Sequence, residues 1–224
     1  MGDQIVDYEG ITIPTYIINL KERTERLSHI LEQFKDKPEF EVHIIEAYKH
    51  EIGAVGLWES VVKVVKLAKE NGDDVIIICK DDHEFTAHYS KAYLIQNIIE
   101  ANEQGVAILS GGIRSFGHAV PLTANRMWVN PFESTQFIVL FKKIFDKILK
   151  YKFKDNDVAD VVLAEMTSHK MTLFPFISLQ RDFGYSDITS IHDEEPGHVQ
   201  NMLKKTISRL ETIQNVYLKY RSEV

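Results

Sequence analysis

Val75-Ile76-Ile77-Ile78-Cys79-Lys80-Asp81-Asp82-His83-Glu84 is the stretch that decides how the rest of the chain is organised. The unbroken apolar run Val75–Cys79 predicts a strand buried on both faces, since a half-exposed strand alternates. The polar loop that follows at once therefore lies at a strand's carboxyl end, where open α/β sheets bind their ligands. Adjacent carboxylates repel each other unless positive charge sits between them. A divalent cation is the natural occupant, because Mg and Mn take oxygen ligands and bridge diphosphates. Asp82 is the first candidate ligand, and Asp81 is placed to hydrogen-bond a ribose or sugar hydroxyl. His83 is a candidate for the metal or for an acceptor. The plainer alternative for the whole loop is a solvated acidic turn.

Outward from this strand, helices and strands alternate. Strands are expected over 15–20, 41–45, 106–109, 136–141 and 171–174, with helices over 23–35, 57–70, 90–102, 143–150 and 157–167. Residues 113–134 have weak periodicity and are expected as loops with a short strand near 127–129. Trp128 and Phe116 there could face a sugar ring or pack in the core. Gly111-Gly112 permits a close backbone approach to a ligand, or makes an ordinary turn. The chain closes on a helix striped by Val199, Leu203, Ile207, Leu210, Ile213 and Tyr217. The alternation predicts an α/β fold with a mostly parallel, Rossmann-like sheet covered by helices on both faces. One domain is expected over 1–195. Residues 196–224 form an amphipathic helix that either docks on it or pairs with a second copy as a homo-oligomer.

The 224 residues suffice for one domain with a core. Lys and Arg total 26 against 33 Asp and Glu, a net charge of -7, which argues against nucleic acid as a partner. A few arginines or a metal still suffice to hold a phosphorylated ligand. Cys79 is the single cysteine, so no intrachain disulfide forms, and its apolar surroundings predict a buried thiol. Met1-Gly2-Asp3-Gln4 does not begin a signal peptide and no apolar run is long enough to cross a bilayer, so a cytoplasmic location is expected.

A second constellation, Asn19-Leu20-Lys21-Glu22-Arg23-Thr24-Glu25-Arg26, also runs from a strand's carboxyl end into a helix. Helix N-termini favour anions, and arginines three residues apart share a face. That pattern suits a nucleotide and its diphosphate. The alternative is a surface helix on which Glu22 pairs with Arg26 and Glu25 with Arg23.

Taken together, Ile17-Ile18-Asn19-Leu20-x-x-Arg23-x-x-Arg26 and Ile76-Ile77-Ile78-Cys79-Lys80-Asp81-Asp82 resemble the signature segments of glycosyltransferase family 25, the lipopolysaccharide-biosynthesis galactosyltransferase-like proteins. Gly53 with its helix, the segment 136–149, Asp157-Val158-Ala159-Asp160 and Ser186-Asp187-Ile188-Thr189 extend the resemblance over about residues 14–190. It implies a GT-A fold, a nucleoside-diphosphate-sugar donor such as a UDP-sugar, and an inverting, metal-assisted transfer to a carbohydrate-type acceptor. Asn19, Leu20, Arg23, Arg26, Lys80, Asp81, Asp82 and Arg181 would then bind the donor. Asp160, or else Asp157, would be the general base, although both also read as acids at a helix start. His192 resembles a C-terminal metal ligand in position. Lys80 departs from the family, which has Glu there. Lys80 contacts a phosphate as a point charge, or points away because neighbouring strand-end residues face opposite sides, or else the chain is a non-catalytic, nucleotide-sugar-binding or scaffold protein on the same fold. A nucleotidyltransferase would carry a glycine-rich basic loop after its first strand, and that loop is absent.

Overall fold

The computed structural model describes residues 8–184 and 197–221. The central sheet is built from β1 (Ile13–Asn19), β2 (Phe40–Glu46), β3 (Val75–Lys80), β5 (Ile108–Ser110), β6 (Ser115–Pro121), β7 (Arg126–Glu133), β8 (Phe137–Phe141) and β9 (Lys170–Leu173). Their spatial order is β2-β1-β3-β8-β5-β9-β7-β6. A separate antiparallel pair joins β4 (His83–Phe85) to β10 (Ser178–Gln180). Within the large sheet β1 runs parallel to β2 and β3, and β5 to β9. β8 and β7 run against these neighbours, so the sheet is mixed although most of its strands share one direction.

Among the described residues, five helices flank the sheet before the C-terminal one: α1 (Thr24–Phe34), α2 (Gly53–Asn71), α3 (Lys91–Glu103), α4 (Lys142–Lys150) and α5 (Ala159–Met166). The strand pleat sends alternate residues to opposite faces. Ile76 and Ile78 of β3 join a core with Val61 and Val65 of α2, Phe145 of α4 and Leu163 of α5. Ile77 and Cys79 join a second core with Ile30 of α1 and Leu94 of α3. The expected double burial of Val75–Cys79 follows from this sandwich. Cys79 is fully buried, and burial pushes its thiol well above the ordinary value.

Residues 113–134 differ from the expectation. They form the β6–β7 hairpin, with Phe116 opposite Phe132 and Val120 opposite Trp128. β6 is an edge strand reading Ser115-Phe116-Gly117-His118-Ala119-Val120-Pro121, in which apolar and polar residues do not alternate cleanly, so the signal that marks a strand is diluted. The C-terminal helix α6 (His198–Arg221) covers that edge. Arg209 donates to the carbonyls of Phe116 and Gly117 at 3.2 and 3.3 Å, and Thr206 Oγ1 donates to the Arg114 carbonyl at 2.5 Å. These side chains occupy backbone acceptors that a bare edge would offer to another chain. The helix is thus docked on its own chain. Among the described residues, no helix is long and apolar enough to cross a membrane.

α2 begins beneath the segment 47–52. Ser60 Oγ accepts from the Tyr48 amide at 2.9 Å and donates to the Gly56 carbonyl at 2.7 Å. A Cβ on Gly56 would lie 2.5 Å from the Tyr48 carbonyl oxygen and 3.3 Å from the His50 nitrogen. Gly→Ala inside a helix ordinarily stabilises by about 1 kcal/mol. Here the overlap reverses the sign, and Gly56→Ala is expected to destabilise by about 1–3 kcal/mol. Urea denaturation checks this: the midpoint should fall at constant slope, whereas a raised midpoint would mean that the segment 47–52 does not press on the helix.

Candidate functional site

A cleft of about 840 Å³ opens where the carboxyl ends of β1 and β3 meet the starts of α2 and α5. β1 lies between β2 and β3 and runs parallel to both, so the three strands end at the same edge of the sheet. Ligands of open α/β sheets bind beyond such carboxyl ends. Leu20, Arg23, Arg26, Lys80, Asp81, Asp82, Asp160 and Arg181 all line it. Asn19 lies just beneath, 3% exposed, with its amide donating to the Leu20 carbonyl at 2.8 Å.

Arg26 and Asp81 form a buried ion pair at 3.2 Å, with side chains 5% and 9% exposed. The helical spacing that put Arg26 on the α1 face thus directs it at β3, while Glu22 accepts instead from Lys49 at 2.6 Å. Burial, with Asp82 beside it, raises the Asp81 carboxyl above the ordinary value, against the downward pull of Arg26 and Arg23. Asp82 is also buried. Its Oδ2 accepts from Gln180 Nε2 at 2.9 Å, and its Oδ1 has no partner among the described residues. Asn19 Oδ1 is likewise a buried acceptor without a partner among them. An unsatisfied buried acceptor costs about 1–3 kcal/mol, and more when charged. Both sit at strand ends beside the cleft, so a ligand hydroxyl or amide reaching them would relieve that cost.

The expected Mn or Mg does not fit the described donor set. No cluster of three or more His, Cys, Asp or Glu suited to a metal occurs among the described residues. Asp81 is committed to Arg26, and stripping a partner from a buried pair costs about 3–5 kcal/mol. Asp82 retains one oxygen unpartnered among the described residues. His192 and the Ser186–Thr189 segment lie outside the described residues.

Asp160 lines the cleft from the first turn of α5. Its Oδ2 accepts from the Ser134 amide at 2.6 Å and its Oδ1 from Thr135 Oγ1 at 2.8 Å. Ser134 is buried with φ 98°, a conformation that L residues resist, and the carboxylate holds it there. Two bonds leave each carboxylate oxygen a further acceptor site. Asp157 stands apart, outside the cleft lining. It neither faces the cleft nor caps α5, whose N-cap is Val158; its Oδ2 accepts from the Lys154 amide at 2.9 Å and the Tyr151 hydroxyl at 3.1 Å.

Other expectations are resolved by packing. Phe116 is a core residue with Arg209 stacked over it, and Trp128 donates to the Ser168 carbonyl at 2.8 Å. Neither lines the cleft. The close approach at Gly112 is to the protein itself, since a Cβ there would lie 2.1 Å from the Ser178 carbonyl oxygen. Arg181 lines the cleft and bonds His29 Nδ1 at 3.0 Å. The structure also brings in residues that the sequence did not single out for the site: Arg114, Glu133 and Ser134 at the open end of the β6–β7 hairpin, and Gly53 and Ala54 at the start of α2. Neither α2 nor α5 carries a side-chain N-cap, so both helix starts are open on the cleft side.

No protein-family model matches the chain, and no curated protein matches it. Among solved structures, a glycosyltransferase involved in glycosylation of the major capsid of PBCV-1 is 10% identical, over 61% of this chain and 63% of that one, with a TM-score of 0.40. The chain thus spans less than two thirds of that relative's length. A mannose-1-phosphate geranyltransferase from Thermus thermophilus is 9% identical over 72% of this chain and 73% of its own, at TM-score 0.46. An apo UDP-glucose pyrophosphorylase is 12% identical over 94% of this chain and 82% of its own, also at 0.46. Likeness this distant bears on neither substrate nor reaction. The chain's own architecture is that of an α/β protein with a polar cleft at the carboxyl ends of its central strands.

His83 does not reach the cleft. It is fully buried among Phe34, Phe85 and Phe137, with Nδ1 on Ser178 Oγ at 2.7 Å. Burial, helped by His29 and Lys37, lowers it from 6.5 to about 3. The unfolded chain therefore takes up a proton below about pH 6.5 that the folded chain refuses until near pH 3. Its contribution is complete above that upper value and falls by about 1.4 kcal/mol per pH unit as pH drops through the window. Between pH 7 and 5 the wild type should lose about 2 kcal/mol more stability than His83→Gln. Denaturant titrations at the two pH values check this, and equal losses would contradict it.

Proposed function

We propose that the cleft binds a nucleoside-diphosphate sugar, a UDP-sugar in the first instance, and that the chain transfers the sugar with inversion to a carbohydrate-type acceptor, whether a glycan, a lipid-linked sugar or a peptide. The observation that carries the reading is a pair of buried acceptors unpartnered among the described residues, Asp82 Oδ1 and Asn19 Oδ1. They lie at adjacent strand ends beside a cleft lined by Arg23, Arg26 and Lys80. Hydroxyl-rich and anionic parts in one ligand answer both features. The resemblance of these two segments to glycosyltransferase family 25 supports the same assignment.

In this reading Asp82 accepts from a hydroxyl of the donor, and Arg23, Arg26 and Lys80 face its diphosphate. The acceptor oxygen bonds to the anomeric carbon as the bond from that carbon to the diphosphate breaks. Asp160 takes the acceptor's proton through an acceptor site not used by Ser134 and Thr135. The cationic wall stabilises the charge that develops on the departing diphosphate.

Calorimetric titration of UDP, GDP and CDP into the full chain tests the donor site. One nucleotide should bind, and Asp82→Ala should weaken it about tenfold or more, the worth of a hydrogen bond to a charged group. Failure of all three to bind would sink the proposal. Asp160→Asn should lower turnover about 10²–10⁴-fold with nucleotide affinity kept, the usual worth of a positioned base. Wild-type binding without any transfer or donor hydrolysis would leave a nucleotide-sugar-binding protein.

A further inference from the structure

Adjacent carboxylates like the pair after β3 repel each other unless positive charge sits beside them, and a dication is one source of it. Asp81 is closed by Arg26 at 3.2 Å, with both side chains less than a tenth exposed. Asp82 is half engaged by Gln180. The residue before them is Lys80, and it lines the cleft. Strand parity fixes its side. Ile76 and Ile78 face the α2 and α5 core, so Lys80, two residues on, emerges on that same side, while Asp81 meets Arg26 from α1. The two cations therefore come from opposite walls. Both lie at the strand ends beside the uncapped starts of α2 and α5.

We propose that Lys80 and Arg26 take the place of a divalent cation, so that a nucleoside diphosphate binds in this cleft without a metal. The inference rests on the nucleotide reading above and adds to it how the diphosphate's charge is met. Lys80 supplies a mobile point charge on a flexible stem. Arg26 supplies a fixed planar one, held in place by Asp81. The acidic pair then serves to orient Arg26 and to accept from ligand hydroxyls. A dication on Asp81 would compete with the guanidinium already paired to it. The position of Lys80 is the discriminating feature: a third carboxylate in its place would turn the same site into one that needs a metal.

The test is calorimetric titration of UDP into the full chain, once in EDTA and once in Mn, for wild type, Lys80→Ala and Lys80→Glu. Lys80 sits at a partly exposed strand end, so both variants should keep the wild-type melting temperature. Wild-type affinity should be the same in EDTA and in Mn. Lys80→Ala should weaken UDP about 10- to 100-fold in both, the worth of one charge-assisted contact. Lys80→Glu should lose binding in EDTA and recover it in Mn. UDP binding by wild type only in Mn would overturn the inference while leaving the nucleotide site intact. So would Lys80→Ala or Lys80→Glu binding as tightly as wild type in EDTA. Absence of nucleotide binding in both conditions would remove the nucleotide reading and this inference with it.

Discussion

Arg26 and Asp81 meet at 3.2 Å in a place where neither side chain sees much water. A buried pair of this kind adds little net stability, because desolvation consumes most of the Coulomb gain. What it does is fix position: it ties the first helix after β1 to the residue that follows β3. Phe183 extends the tie, with Arg26 4.8 Å and Arg181 5.1 Å from its ring centre. Three segments far apart in sequence thereby share one wall of the cleft.

The opposite wall is set by different means. The segment 47–52 is pressed onto α2 by Gly56 and Ser60, which puts Tyr48, Lys49 and His50 over the start of that helix. Asp160 holds the turn at Ser134 and Thr135 from α5. α5 is anchored at its other end by Lys170, a buried lysine that donates to the carbonyls of Ala164 and Thr167. Burial lowers the lysine's pKa, and the bonds to the carbonyls at the helix end complement the dipole there. One wall is therefore held by charge and the other by backbone fit, and the cleft between them is lined by both signs.

Much of the fold was legible because periodicity is a local signal. The apolar run 75–79, the stripe of α2 and the stripe of α6 each declare their element without knowledge of any partner. The β6–β7 hairpin was not, since its edge strand lacks clean alternation and gains its cover from α6, some ninety residues away along the chain. The opposed directions of β8 and β7 were illegible too, because strand direction depends on connections and leaves no mark in composition. At the site, Asp81, Asp82, Arg23 and Arg26 were visible as types in a pattern. That Arg26 would close on Asp81, and that His83 would turn inward among phenylalanines, depended on packing that no local pattern encodes. Arg114 and Ser134 carried no signal at all, because only the folded hairpin brings them to the cleft.

The central claim is that the β1 and β3 ends form one nucleotide-binding cleft. Backbone amide NMR of the labelled chain with saturating UDP tests it most directly. UDP should shift resonances centred on residues 20–26, 53–54, 80–82, 158–161 and 180–183, stretches distant in sequence that meet at this cleft. Changes centred on the β6–α6 side of the sheet, or a spectrum that UDP leaves untouched, would contradict it.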